Sequence, residues 1–498
     1  MSQVVGDESI RRAADPTTDA RRIRRAITAL WPALLALLIT LFQIDRAQLW
    51  RDELATWSAA SRSTADLLRL VGKIDAVSAP YYLFMHGWVS TFGDSVLALR
   101  LPSALAMAAA AGLTAALGER LFGTRAGLIA GLLFAIAPST SRYGQEARPY
   151  AFATLFAVLA TLLLVRAVAV PTWKRWLSYA AAVAGLGLAH LVTTTLVVAH
   201  AAAVLLIGRP FGKRIGRQAL GRGLTAVAGA GLLLAPLALF GLGQHAQQLD
   251  WVERSTVSSL PGLPGAVLQA GSVGGFLVGL AAVGVATRGR WGVVLGLFVL
   301  LPATLLFAAG LVTPLWVPRY LVFLVPFGCL LAAATLASLR LNAALSIVAV
   351  AALLGASAQA GLRRTHEWPR SAPIDYAAAA QVIATHQQRG DGIVYEPRDG
   401  WKFLDLATTY HLGDDRPQDL LAIRDPVRRG DLWADECAAP LRCLAPAGRV
   451  WLLITGERGA PLRGVPGPKG AALRSDFRVD RVWRVPGLTV ALLIRPAP

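Results

Sequence analysis

The apolar residues of this chain fall in blocks of roughly 17–22, the length a helix needs to cross a hydrocarbon core about 30 Å thick. That restricts the fold sharply, because backbone in lipid must satisfy its own hydrogen bonds, and helices do so within one segment. We read about eleven blocks, at 27–48, 96–117, 125–138, 150–169, 175–190, 191–208, 224–243, 266–287, 291–311, 319–339 and 343–361. Of the 498 residues only 16% are charged, against about a quarter in a soluble chain. The expected fold is an all-α polytopic membrane protein.

The formal charge of +19 does not indicate nucleic acid, because its placement is that of a membrane protein. Arg21, Arg22, Arg24 and Arg25 precede the first block. Arg120 and Arg125, Lys174 and Arg175, Arg288 and Arg290, and the loop with Arg209, Lys213, Arg214, Arg217 and Arg222 fall on that same side. Basic residues collect in cytoplasmic loops, so this side is read as cytoplasmic, and an odd number of spans puts the C-terminus outside. Without a small-residue cleavage site, the first block reads as an uncleaved anchor. The expected location is the plasma membrane.

Three regions follow. Residues 1–26 form a basic cytoplasmic tail, 27–361 a membrane domain with a large outer loop at 49–95, and 362–498 a small extracytoplasmic α/β domain. In the last, Gly392–Tyr395, Val450–Thr455 and Leu488–Ile494 have the pattern of strands and Ile374–His386 that of a helix. Cys437 and Cys443 can pair if that domain faces an oxidising compartment.

The outer segments hold the groups able to do chemistry. Asp52 and Glu53 follow the first span, and a carboxylate there suits a general base; a helix start capped by Asp52 is the plainer reading. Asp75 lies among aromatics that include Tyr81 and Tyr82. The short segment Ser139–Pro149 carries Arg142, Tyr143, Gln145, Glu146 and Arg148. An arginine at the mouth of a helix bundle can grip a phosphate through two parallel hydrogen bonds, or tie helix ends to Glu146. Arg319, followed by Tyr320, has no acid near it in sequence and calls for an anion or for lipid headgroups. His190 sits at a tight outer turn, where most histidines are simply polar turn residues. All these groups share one face.

In order, Asp52-Glu53 with Thr56, Asp75-Ala76-Val77 with Tyr81-Tyr82 and Arg100-Leu101-Pro102-Ser103, Tyr143-x-Gln145-Glu146-Ala147-Arg148-Pro149-Tyr150, and Pro318-Arg319-Tyr320 resemble the family 39 glycosyltransferases. The likeness is to their actinobacterial branch, often labelled mannosyltransferases, within the membrane-bound GT-C class. It implies transfer of a hexose, mannose by the family label, from a polyprenyl monophosphate to an acceptor hydroxyl, with inversion. By analogy Asp52 is the base, with Glu53 supporting it or placing the acceptor. Arg148, Arg319, Tyr320 and Tyr143 face the donor phosphate. Gln145 and Glu146 orient the arginine, and Asp75, Tyr82 and His190 lie on the orienting or acceptor side. The acceptor is a glycan, a glycolipid or a protein.

Where many relatives carry a histidine or a Pro-Pro pair, this chain reads Val77-Ser78-Ala79-Pro80. Nothing in the spacing demands a cofactor; a divalent metal beside Asp52, Glu53 and Asp75 stays open. Two other readings compete: a transporter or flippase of lipid-linked substrates, which predicts ionisable groups at mid-membrane and two related halves, and a non-enzymatic membrane scaffold.

Overall fold

The computed structural model describes residues 16–206, 217–248, 252, 254–364 and 374–496. Helices occupy all eleven predicted blocks, as Pro16–Leu41, Val96–Phe122, Thr124–Ile136, Tyr150–Ala169, Trp173–Ala189, Thr195–Leu206, Arg217–Gln248, Gly271–Thr287, Gly289–Val312, Val325–Leu336 and Leu341–Gly361. Six stretches among the described residues are long and apolar enough to cross a membrane by themselves, one formed by Pro318–Leu324 running into Val325–Leu336. The others are shorter or carry polar ends. The basic residues at 11–12 and 209–216 lie outside the described residues.

Small residues let these helices approach closely. A Cβ added at Gly127 would stand 2.4 Å from the Ala115 carbonyl oxygen and 2.7 Å from the Glu119 nitrogen. Only glycine lets the helices Val96–Phe122 and Thr124–Ile136 pack so tightly after the turn at Gly123, whose φ is +94°. Polar ties gather at the helix ends. At one end Arg125 donates to the Leu339 carbonyl and Arg222 to that of Pro171. At the other, Gln145 donates to the Thr40 and Phe42 carbonyls, and Arg363 to those of Ile39 and Phe42.

The large loop at 49–95 is itself mostly helical. It folds as Arg51–Ala60, Thr64–Lys73, a 3-10 turn at Ala76–Ser78 and Ala79–Phe92. Against expectation, Asp52 does not cap the first of these. Trp50 occupies the cap position, and its N–H donates to the Glu53 side chain.

In the C-terminal region the strands are β1 (Gly392–Glu396), β2 (Gln418–Asp419), β3 (Ala422–Arg424), β4 (Asp435–Glu436), β5 (Arg449–Thr455), β6 (Arg478–Val485) and β7 (Leu488–Ile494), with a helix at Tyr376–His386. Five strands form a sheet in the order β2-β1-β5-β7-β6, in which β1 runs parallel to both neighbours and the β5-β7-β6 side is antiparallel. β1, β5 and β7 stand out in the sequence as apolar runs because they are buried. β6 does not, since its Arg478, Asp480, Arg481 and Arg484 suit a solvated sheet edge. Cys437 and Cys443 are joined by a disulfide.

This sheet packs directly on the outer loop. Trp451 and Val490 share one apolar core with Leu49, Leu54 and Tyr82. Gln48 donates to the Ile374 carbonyl and accepts from the Ala377 N–H. Arg62 donates to the Asp431 carbonyl at 2.6 Å, and Lys73 pairs with the Asp431 carboxylate at 2.8 Å.

Candidate active site

Where the outer loop, the ends of several spans and the C-terminal sheet meet, they enclose a cavity of about 520 Å³. Among its lining residues are Arg51, Asp52, Asp75, Arg148, Tyr150, His190, Arg319 and Tyr320. Residues far apart in sequence thus reach one space. The remaining wall is largely apolar, including Leu191, Val192, Ala238, Gly241 and Leu315, as in most small-molecule sites.

Asp52 enters from the first turn of Arg51–Ala60, where the helix dipole favours a carboxylate. Its oxygens stand 3.5 Å from the Arg51 Nε and 3.6 Å from the Arg319 Nη2. Both exceed the 2.7–2.9 Å typical of a charge-assisted hydrogen bond. The carboxylate is attracted from two sides and keeps room for a third partner.

Glu53, its neighbour, points away from the cavity and is fully buried. Arg100 grips it through two bonds of 2.8 and 2.7 Å, and the Ala147 N–H donates to it at 2.9 Å. The remaining Arg100 N–H groups meet the carbonyls of Ile44, Ala47 and Gln48. The pair is a bolt between the outer loop, the second span and the segment carrying Arg148. Its geometry gives Glu53 a positioning part rather than contact with an acceptor, and the Asp-Glu adjacency hides this, since consecutive helical residues point about 100° apart.

Arg148 directly follows Ala147, the residue that the bolt holds by its N–H. Its guanidinium lies 3.5 Å from the Thr56 hydroxyl and 3.4 Å from that of Tyr82, and its Nε has no partner among the described residues. Arg319 donates to the Tyr150 hydroxyl at 2.9 Å. Tyr320 and Tyr150 flank His190, with ring centroids 4.6 and 5.8 Å from it. The His190 Nδ1 is likewise buried without a partner among the described residues.

Asp75 adopts a left-handed φ of +61°. Its carboxyl accepts from the Ser78 hydroxyl at 2.9 Å and from the Tyr82 hydroxyl. Burial raises its pKa above the ordinary range, with Arg148 pulling the other way.

Three expectations change. Glu146 does not orient Arg148; it pairs with Arg142 at 2.9 Å, four residues back on one buried turn. Gln145 instead pins the end of the first span through the Thr40 and Phe42 carbonyls. Tyr143 stands behind Tyr150, with ring centroids 5.5 Å apart, and does not line the cavity. Conversely, Arg51 and the C-terminal residues Trp401, Phe403 and Leu432 line it. Nothing in the local pattern around 401 or 432 marks them, because only the docking of the sheet brings them there.

Among the described residues no group of three or more His, Cys, Asp or Glu side chains gathers as a metal site. The set left open for a divalent cation does not converge: Glu53 is bound by Arg100, and Asp52 faces two guanidinium groups.

Burial lifts the Glu146 carboxyl to about 7, from 4.5, with Arg142 opposing. The folded protein therefore binds this proton more tightly than the unfolded chain, so this group's contribution to stability falls as pH rises from about 4.5 to about 7. Thermal unfolding of detergent-solubilised protein between pH 5 and 8 should show a downward slope that flattens in Glu146→Gln.

The fold is a mostly helical, multi-span membrane architecture with a C-terminal mixed α/β region, like that of ArnT. Residues 79–240 match the family described as dolichyl-phosphate-mannose-protein mannosyltransferase. Among solved structures, ArnT from Cupriavidus metallidurans bound to undecaprenyl phosphate superposes with a TM-score of 0.62 at 14% identity, over 93% of this chain and 97% of that one. The same enzyme in the apo state gives 0.61 at 14% identity, over 96% and 98%. The arabinofuranosyltransferase AftD from Mycobacteria gives 0.52 at 16% identity, over 96% of this chain and 42% of that one. No curated protein matches.

Proposed function

We propose that this chain transfers a sugar, a hexose and by its family likeness mannose, from a polyprenyl monophosphate to an acceptor hydroxyl at the outer membrane face, inverting the anomeric carbon. The observation that carries this reading is the meeting of one loosely held carboxylate with two arginines in a single cavity.

Asp52 takes the proton as the acceptor oxygen attacks C1. The bond from C1 to the phosphate oxygen breaks, and the polyprenyl phosphate leaves with its electron pair. Arg148 and Arg319 meet the charge that develops on it, with Tyr320 and Tyr150 beside them; such preorganised stabilisation is commonly the largest part of catalysis. Glu53 and Arg100 hold Asp52 and Arg148 in register. Asp75 and Tyr82 brace Arg148, with His190 on the cavity wall nearby. The ArnT structure bound to undecaprenyl phosphate supports a carrier of that chemistry. The placement of the basic loops supports a cytoplasmic N-terminus and an extracytoplasmic C-terminal α/β region.

Purified protein incubated with a synthetic short-chain polyprenyl-phospho-mannose should release polyprenyl phosphate, to an acceptor or slowly to water. Arg148→Gln should raise the donor KM and lower turnover together. A wild-type protein that binds several polyprenyl-phospho-sugars yet turns none over would argue for carrier transport instead.

A further inference from the structure

The loop after β1 brings two aromatic rings, Trp401 and Phe403, to the cavity, and their surroundings differ. Phe403 and Trp433 are buried, at 2% and 7% exposure, and stack on each other at 5.7 Å. Trp401 stands edge-on to both, 4.9 Å from Trp433 and 6.0 Å from Phe403, and is itself only partly buried on the cavity wall. Its indole N–H has no hydrogen-bond partner among the described residues. Tryptophans with one apolar side and one wet side are enriched where other molecules are met.

The loop carrying Trp401 is held in place. The Tyr376 hydroxyl donates to the Lys402 carbonyl at 2.6 Å, and the Trp433 Nε1 to the Gly400 carbonyl at 3.2 Å. Phe403 adopts a left-handed φ of +50°, costly for a non-glycine residue, and turns the chain into the helix Leu404–Leu412. The Arg62 and Lys73 contacts to Asp431 fix the adjoining segment, from which Leu432 reaches the same cavity. The ring is therefore presented rigidly, which lowers the cost of binding.

We propose that Trp401 is the stacking platform for the acceptor, and that the acceptor is a saccharide rather than a peptide hydroxyl. An indole face matches the row of C–H groups on one side of a sugar ring, and its free N–H can donate to a ring hydroxyl. Arg51 lines the same cavity beside Asp52. In an inverting displacement the acceptor approaches opposite the leaving phosphate. The arginines assigned to that phosphate come from the membrane helices and their linkers, and Trp401 comes from the loop after β1 in the C-terminal region. This assignment rests on the glycosyltransferase reading above.

The test compares full-length wild type, Trp401→Ala and Trp401→Phe in detergent, with synthetic polyprenyl-phospho-mannose as donor. The acceptor probes are octyl α-mannoside, a short mannose oligosaccharide and a Ser/Thr-rich peptide. Wild type should prefer the saccharides. Trp401→Ala should raise the KM for the saccharide at least tenfold more than the KM for the donor, and Trp401→Phe should recover most of that loss. A preference for the peptide, or equal effects on both substrates, overturns the assignment. A rise confined to the donor KM overturns it too, moving the ring to the donor sugar. Failure of wild type to consume the donor even in water sinks the glycosyltransferase reading itself, and this assignment with it.

Discussion

Asp52→Asn should lose more than about a hundredfold in kcat while the donor KM moves little, as expected for loss of a general base. The amide keeps the shape of the carboxylate and can still accept from Arg51 and Arg319, so the cavity stays formed. What it loses is the ability to take the acceptor's proton. The position of Asp52 suits proton removal, since it lies on the cavity wall and is approached by two cations at 3.5 and 3.6 Å without being locked by either. Donor consumption followed by release of polyprenyl phosphate measures the effect. A mutant within about tenfold of wild type would move the proton to another group or leave it to solvent.

Glu53→Ala should be as damaging by a different route. It leaves the Arg100 guanidinium, 1% exposed, among carbonyls with no counter-charge. Breaking one side of a buried ion pair costs about 3–5 kcal/mol. The Ala147 N–H loses its acceptor as well. The readout is a lowered unfolding temperature and faster proteolysis in detergent, seen also for Arg100→Ala. A Glu53→Leu, Arg100→Met double variant should be less destabilised than either single change, because it removes both charges together. If Glu53→Gln were fully stable yet inactive, Glu53 would have to act on substrate directly. Asp52 and Glu53 thus separate into turnover without stability and stability before turnover.

The membrane architecture is legible because lipid imposes a single length on every span. Helices occupy all eleven blocks read from hydropathy, including Thr124–Ile136 and Trp173–Ala189, which are too short or too polar to count as independent spans. The site is legible in part. Asp52, Asp75, Arg148, His190, Arg319 and Tyr320 all face one cavity. Charged and aromatic groups stand out against apolar helices, where each must have a reason to be present.

Partnership within the site is what the residue pattern does not carry. Glu146 lies two residues from Arg148 yet pairs with Arg142, because one turn of helix from Pro138 to Gly144 and its exit places positions four apart together. Glu53 lies beside Asp52 and finds Arg100, 47 residues away. Tyr143 shares a motif with Tyr150 and ends behind it.

Hydropathy and charge along the chain already require a membrane, count its apolar helices, and gather its polar chemistry between them on one side. Those follow from local composition, since each block meets the bilayer independently of the others. Which carboxylate is open and which is bolted, and that Trp401, Phe403 and Leu432 wall the cavity, follow from the folded arrangement alone. Those outcomes depend on contacts between segments hundreds of residues apart, such as Gln48 with Ile374 and Arg62 with Asp431. Direction and distance across such contacts arise only when the apolar core shared by the outer loop and the sheet closes.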